Sequence, residues 1–233
     1  MPTEFYKDLF NTRETLFCCH YAHRHHEVTL VRGDAGCGKT TALRYFTANT
    51  PDVLLVTANA CTTTPAAILG AICHSLDLPV PGRKAALMSS LVEYFSEARK
   101  LLILDEADHL SLEALQAIRN LNDLTGLGIV ISCNDRLYYQ MVSGRNAGYA
   151  QLWSRFSVRK HVVNDYTVQE IEAIFPGVSQ ECAGKLLEVA CEESLRTARK
   201  LYDAAAEFAT VQGKPLTAKC LRDTQKQLFG EGF

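Results

Sequence analysis

Short aliphatic runs alternate with segments of helical period through the first part of the chain, whereas the last part carries helical periods alone. The runs Glu27 to Arg32, Val53 to Ala58, Lys100 to Leu104, Leu127 to Cys133 and Ser157 to Val163 read as strands. The spacing predicts a helix over Thr12 to His23 ahead of the first strand, then helices over Gly38 to Ala48, Pro65 to Leu76, Lys84 to Ala98 and Leu112 to Asn122. Thr64 before Pro65, and Ser111 before Leu112, are capping residues at the helix starts. Strand, helix and strand in succession require a crossover, so the strands are expected to run parallel. Leu101-Leu102-Ile103-Leu104, aliphatic throughout, has the pattern of a central strand covered on both faces. Asp135 to Trp153, with Gly144, Gly148 and three tyrosines, predicts a partly helical, mobile stretch. Beyond Asn164 only helices are expected: Thr167 to Phe175, Ser179 to Ala190, Ser194 to Gln212 and Thr217 to Leu228. The pattern predicts an α/β domain over residues 1–164 with a central parallel sheet, followed by a small helical domain over residues 165–233.

Composition narrows the classes. The chain has 233 residues and a formal charge of -2, so any nucleic-acid contact must use a local basic patch rather than a general basic field. Neither a membrane-spanning stretch nor the n- and h-regions of a signal peptide occur, which predicts a cytoplasmic protein. The 9 cysteines contain no C-x-x-C pair and are expected to be reduced thiols packed as small apolar residues. His20, His23, His25 and His26 lie near Cys18 and Cys19, but no second ligand pair at fixed spacing completes a tetrahedral metal set, and a solvated helix end is expected.

The chemistry lies at two strand ends. Gly33-Asp34-Ala35-Gly36-Cys37-Gly38-Lys39-Thr40, followed by Thr41, has the spacing of a phosphate-binding loop between a strand and a helix. Its glycines let backbone N–H groups approach a phosphate at a helix N-terminus, Lys39 reaches the β and γ oxygens, and the Thr40 hydroxyl can ligate Mg²⁺. Asp105 and Glu106 end the aliphatic strand Leu101 to Leu104. A carboxylate there shares the sheet edge with the phosphate loop and suits the Mg²⁺ shell, and the neighbouring glutamate suits a general base for water. Ras-type GTPases place their water with a glutamine elsewhere, so the acidic pair favours ATP as substrate.

The glycine loop, the acidic pair and the helical C-terminal segment together resemble the AAA+ ATPases. That resemblance implies a three-layer P-loop domain with a helical lid. It also implies further site residues: Asn134 as sensor one, Arg196 in Ser194-Leu195-Arg196-Thr197 as sensor two, and an arginine finger given to a neighbouring subunit. Arg155 matches the finger position best, with Arg145 and then Arg159 as alternatives. Leu102 to Leu115 and Ile129 to Leu137 are most similar to the transposition regulators of the phage Mu B, TnsC and IstB group. This likeness implies an ATPase that assembles as a helical filament or ring on double-stranded DNA and engages a transposase, with a target-selection protein as a further partner.

The sequence departs from that group in two places: it begins almost at the ATPase core, without the preceding helix-turn-helix domain of Mu B, and Glu193 stands where a glycine is expected. DNA contact is then expected from the segment between the second and third strands, which holds Thr62, Thr63, Thr64, Arg83, Lys84, Arg99 and Lys100. Thr63, Arg83, Lys84 and Lys100 are the candidates carried forward, with Arg83 and Lys84 leading. The same core residues also fit a loader or remodeller of a helicase or another replication protein, or a nucleotide-dependent interaction switch.

Overall fold

Five parallel strands form one sheet in the order β2-β3-β4-β1-β5. They are β1 (Val28–Gly33), β2 (Val53–Thr57), β3 (Leu101–Asp105), β4 (Gly128–Cys133) and β5 (Phe156–Val162). A computed structural model describes residues 7–80, 82–96, 100–143 and 147–230. The sheet belongs to the larger of two compact units, Phe10–Gly33 with Lys39–Val162; the smaller unit is Met1–Leu9, Asp34–Gly38 and Val163–Phe233.

In the larger unit, α1 (Phe10–His25) and α2 (Lys39–Asn49) precede β2, and α3 (Pro65–Ser75) and α4 (Lys84–Ser96) lie between β2 and β3. A 3₁₀ turn (Ala107–His109) and α5 (Leu112–Thr125) connect β3 to β4, and α6 (Asp135–Val142) and α7 (Ala147–Trp153) connect β4 to β5. Alternate strand residues face opposite sides of the sheet. Leu102 and Leu104 of β3, with Ile129 and Ile131 of β4, join the apolar cluster built with Ile68, Leu91 and Leu115 of α3, α4 and α5. On the other face Thr29 of β1 donates to the Cys18 carbonyl of α1 across 3.3 Å. The sheet is therefore the middle of three layers. Residues Leu101 to Leu104 are fully buried, each contributing ~1.5–3 kcal/mol through the area it removes from water.

α1 has an unusual buried face: Asn11, Thr15, Cys18 and Ala22 recur at helical spacing, with Thr12 and Cys19 beside them. These side chains are small or polar, which lets the helix backbone lie close to the sheet. Gly128 of β4 shows how close, because a Cβ there would lie 2.3 Å from the Ala22 carbonyl oxygen. Among its polar members, Thr15 donates to the Asn11 carbonyl at 2.8 Å.

The smaller unit packs α8 (Val168–Ile174), α9 (Gln180–Glu192), α10 (Leu195–Val211) and α11 (Ala218–Phe229) around Ile171, Phe175, Leu186, Leu201 and Leu221. Thr167, Ser179, Ser194 and Thr217 cap these helices, each accepting a backbone N–H in the first turn, and Thr167 forms a full capping box with Glu170. Each cap is worth ~1 kcal/mol. Among the described residues no helix is long and apolar enough to cross a membrane.

Candidate functional site

β1 feeds directly into the glycine turn, and α2 begins at Lys39. Gly33 has φ 153°, and a Cβ at this residue would lie 1.9 Å from the Val162 carbonyl oxygen of β5, so only glycine lets the strand leave the sheet here. Gly36, at φ 83°, turns the loop within the smaller unit, where a Cβ would lie 2.7 Å from the Ser194 Cβ and 3.2 Å from the Arg196 Cβ. The Cys37 thiol is buried in the turn and donates to the Asp34 carbonyl at 3.0 Å. Lys39 Nζ donates to the Gly33 carbonyl at 2.5 Å, which holds the ammonium beside the loop it follows.

Within the larger unit the strand ends converge on Asp105. This carboxylate is 1% exposed and accepts three hydrogen bonds: Thr40 Oγ1 to Oδ2 at 2.7 Å, Ser132 Oγ to Oδ1 at 2.7 Å, and the Glu106 N–H to Oδ1 at 3.0 Å. No cation pairs with it among the described residues. A buried carboxylate is otherwise paired or metal-bound. Hydroxyl and carboxylate oxygens in this arrangement fit a hard divalent ion such as Mg²⁺.

Glu106 is exposed, with its backbone in the left-handed region at φ 55° and ψ 37°. The 3₁₀ turn that follows returns Asp108 toward β4, where its Oδ1 accepts the Asn134 N–H at 3.1 Å. Asn134 caps α6, its Oδ1 accepting from the Leu137 N–H at 3.2 Å, and its side-chain NH₂ has no hydrogen-bond partner among the described residues. β4 lies between β3 and β1, so the acidic tip, Asn134 and the end of β1 stand in order along one sheet edge. The Cys133 thiol beside them is pushed up to about 12, chiefly by burial and secondarily by the negative charge of Asp108.

This combination of a glycine turn entering a helix and an acid-tipped central strand is accompanied by a family match. The family described as AAA domain matches residues 22–141. The chain belongs to the AAA domain family. This AAA domain chain is 38% identical over 128 residues to the Mu-like prophage FluMu DNA transposition protein B of Haemophilus influenzae, covering 54% of this chain and 45% of that protein. It is 28% identical over 207 residues to the ATP-dependent target DNA activator B of Escherichia phage Mu, covering 86% of this chain and 66% of that protein. The chain thus spans between about half and two-thirds the length of these curated relatives. A RuvB structure from Thermotoga maritima superposes with a TM-score of 0.61 at 15% identity, covering 100% of this chain and 74% of that one, a likeness of fold.

Lys39, Thr40, Asp105, Glu106 and Asn134 of the AAA domain all lie in the larger unit, while the turn Asp34 to Gly38 and Arg196 lie in the smaller one. Arg196 is exposed in the first turn of α10 and holds no hydrogen bond or ion pair among the described residues. Glu193 has φ -115° and ψ -74°, a conformation that requires no glycine, and its carbonyl accepts from Asn164 Nδ2 at 3.0 Å. Arg155 is exposed, with Nη1 3.4 Å from Asp123 Oδ1. Arg159 lies over the Trp153 ring at 4.0 Å and donates to the Trp153 carbonyl, an internal role. Arg145 lies outside the described residues, as does Arg99.

Of the basic candidates, Arg83 and Lys84 are exposed at the start of α4. Lys100 instead sits over the Tyr94 ring at 4.3 Å and donates to its hydroxyl. Thr63 uses its hydroxyl on the Ala60 carbonyl, at 3.1 Å. The histidine segment packs by its rings, His20 on Phe46 and His25 on Tyr21. All 9 cysteines are free thiols.

Sequence reasoning missed Ser132. Its signal was present: it is the one polar residue in Ile129-Val130-Ile131-Ser132-Cys133, and a fully buried hydroxyl inside a central strand requires a partner. It also missed Asp108, whose part depends on the 3₁₀ turn.

Proposed function

We propose that this chain is an ATP-hydrolysing, DNA-binding regulator of transposition that assembles on duplex DNA and activates a transposase at its target. The observation that carries the hydrolytic part is the buried Asp105 carboxylate, hydrogen-bonded to Thr40 and followed by the exposed Glu106. The DNA and transposase part rests on likeness over 86% of the chain to a phage Mu protein named for ATP-dependent target DNA activation.

In this reading Gly33, Asp34, Ala35, Gly36, Cys37 and Gly38 wrap the phosphates with backbone N–H groups, with Thr41 completing the first turn of α2. Lys39 exchanges the Gly33 carbonyl for phosphate oxygens. Thr40 and Asp105 would hold Mg²⁺, which supplies charge neutralisation for the phosphates when bound. Glu106 takes the proton from the attacking water, and the free amide of Asn134 orients that water or the γ-phosphate. Arg196 acts on the bound nucleotide as sensor two. Arg155 of a neighbouring copy completes the site, an arginine contribution worth a rate factor of ~10³ to 10⁵. Turnover is then slow in an isolated subunit and fast in the assembly. Arg83 and Lys84 lead the DNA contacts, which are to phosphates, weakly sequence-selective and strongly salt-dependent. A transposase and a target-selection protein are the partners, in the cytoplasm.

Electron microscopy with ATP, with and without nonspecific duplex, beside an ATPase assay, tests this reading. Filaments on duplex with DNA-stimulated turnover are expected. Glu106→Gln should retain ATP binding and hold the assembled state, whereas Lys39→Ala should prevent assembly. Closed rings indifferent to DNA refute the DNA reading, and normal turnover by Glu106→Gln refutes the assignment of the base.

A further inference from the structure

Asp135 opens α6 immediately after the cap Asn134, and it is held from two sides. Arg32 Nη1 donates to Asp135 Oδ1, and His161 Nε2 lies 3.1 Å from Oδ2. Strand register brings these residues abreast: Arg32 of β1 pairs with Cys133 of β4 on one side and with His161 of β5 on the other. The Arg32 guanidinium also stacks 3.7 Å from the centroid of the Tyr138 ring, one turn further along α6. The Arg32 and Asp135 side chains are only 17% and 21% exposed, so the ion pair is sheltered from the screening that weakens surface pairs.

α6 has 8 residues, too few to be held by its own hydrogen bonds. Its start is therefore fixed from outside, at Asp135 by the arginine and histidine and at the Asn134 N–H by Asp108. Arg32 is also the residue before Gly33, so the clamp fastens α6 to the strand from which the glycine turn springs.

We propose that Asp135, clamped by Arg32 and His161, is a positioning residue for Asn134: it fixes the first turn of α6 so that the Asn134 amide keeps one orientation relative to β1 and β3. This inference rests on reading Asn134 as the group that orients the water or γ-phosphate. A small misplacement of such a group costs up to ~10²-fold in rate without weakening substrate binding.

The test is a double-mutant cycle on the full chain with duplex DNA, measuring turnover at saturating ATP and affinity for a fluorescent ATP analogue. Asp135→Asn is expected to lower turnover about tenfold with affinity within about twofold, because the lost charge releases the clamp and leaves the phosphate loop in place. In an Asn134→Ala background the same change should cost less than about twofold, since both variants remove one function. Arg32→Lys, which keeps the charge but loses the planar fork and the stacking, should show the same pattern and serves if Asp135→Asn folds poorly. Multiplicative losses in the double variant, or equal losses of turnover and affinity, overturn the inference and leave Asp135 with a structural role only. Unchanged turnover in Asn134→Ala alone overturns the reading of Asn134 itself, and the inference with it.

Discussion

Replacing Ser132 by alanine removes one of the three hydrogen bonds to the Asp105 carboxylate and nothing else of consequence. The hydroxyl is fully buried and 2.7 Å from Oδ1, and Asp105 is 1% exposed, so bulk water has no route to replace the lost donor. A hydrogen bond to a charged group is worth ~1.5–3 kcal/mol, and leaving the acceptor under-satisfied puts the loss toward the top of that range. For a chain of this length such a loss lowers the thermal midpoint by about 3–12 °C. The carboxylate also loses its orientation: with Thr40 on Oδ2 and only the Glu106 N–H on Oδ1, the group can rotate away from the geometry that suits a divalent ion. The assay is thermal unfolding with and without Mg²⁺ and ATP, beside turnover against Mg²⁺ concentration. A lower midpoint and a higher Mg²⁺ requirement are expected. Ser89→Ala on the exposed face of α4, where the hydroxyl bonds to the Ala85 carbonyl, should shift the midpoint little and serves as control. If Ser132→Ala matches Ser89→Ala in both readouts, the reasoning about the buried carboxylate is wrong.

Two further outcomes follow from backbone conformation and thiol burial. Gly36→Ala, at φ 83° and 2.7 Å from the Ser194 Cβ, should destabilise the protein by about 2 kcal/mol or more, whereas Gly177→Ala, at φ 81° in open space, carries the backbone strain alone; equal melting shifts would remove the steric argument. Burial raises the Cys18 and Cys133 thiols from 9.0 to about 12, so the native state keeps protons that the unfolded chain releases. Their stabilisation is complete below pH 9 and lost progressively toward pH 12, so the denaturant midpoint should fall between pH 9 and 10.5 and fall less steeply in Cys18→Ala/Cys133→Ala; an unaltered slope refutes the assignment.

The sequence made the sheet and the glycine turn legible for a physical reason: both are written in contiguous residues. Leu101 to Leu104 announces a covered strand, and the glycine spacing announces a turn into a helix, so β3, β1 and α2 lie within a residue or two of their expected bounds. α1 was legible as a helix, although its buried face of Asn, Thr and Cys carries no apolar stripe, and its close packing appears only when Gly128 is seen against Ala22. The stretch Asp135 to Trp153, irregular by pattern, contains α6 and α7, with a cap at Asn134 that a rule of local chemistry recognises once the strand end is known. Glu193 resembled a misfit because the expected glycine implies a left-handed turn, and here the backbone makes none. Arg32 and Asp135 meet across 103 residues through strand register alone, a relation that no local spacing encodes. Ser132 belongs to the same class, since its partner Asp105 is 27 residues away on the next strand.

Glu106 holds a left-handed backbone that glycine or asparagine adopts at less cost, by ~1 kcal/mol or more. A residue chosen only to secure the fold would not be a glutamate. Glycine or asparagine at this position relieves the strain by removing the carboxylate, whereas aspartate, which also enters the left-handed region, keeps a carboxylate on a shorter arm. Under the proposed role of Glu106 as the base, thermostabilisation of this chain leaves position 106 alone and uses exposed helix positions, because glycine or asparagine there would remove the group that the proposal assigns to turnover.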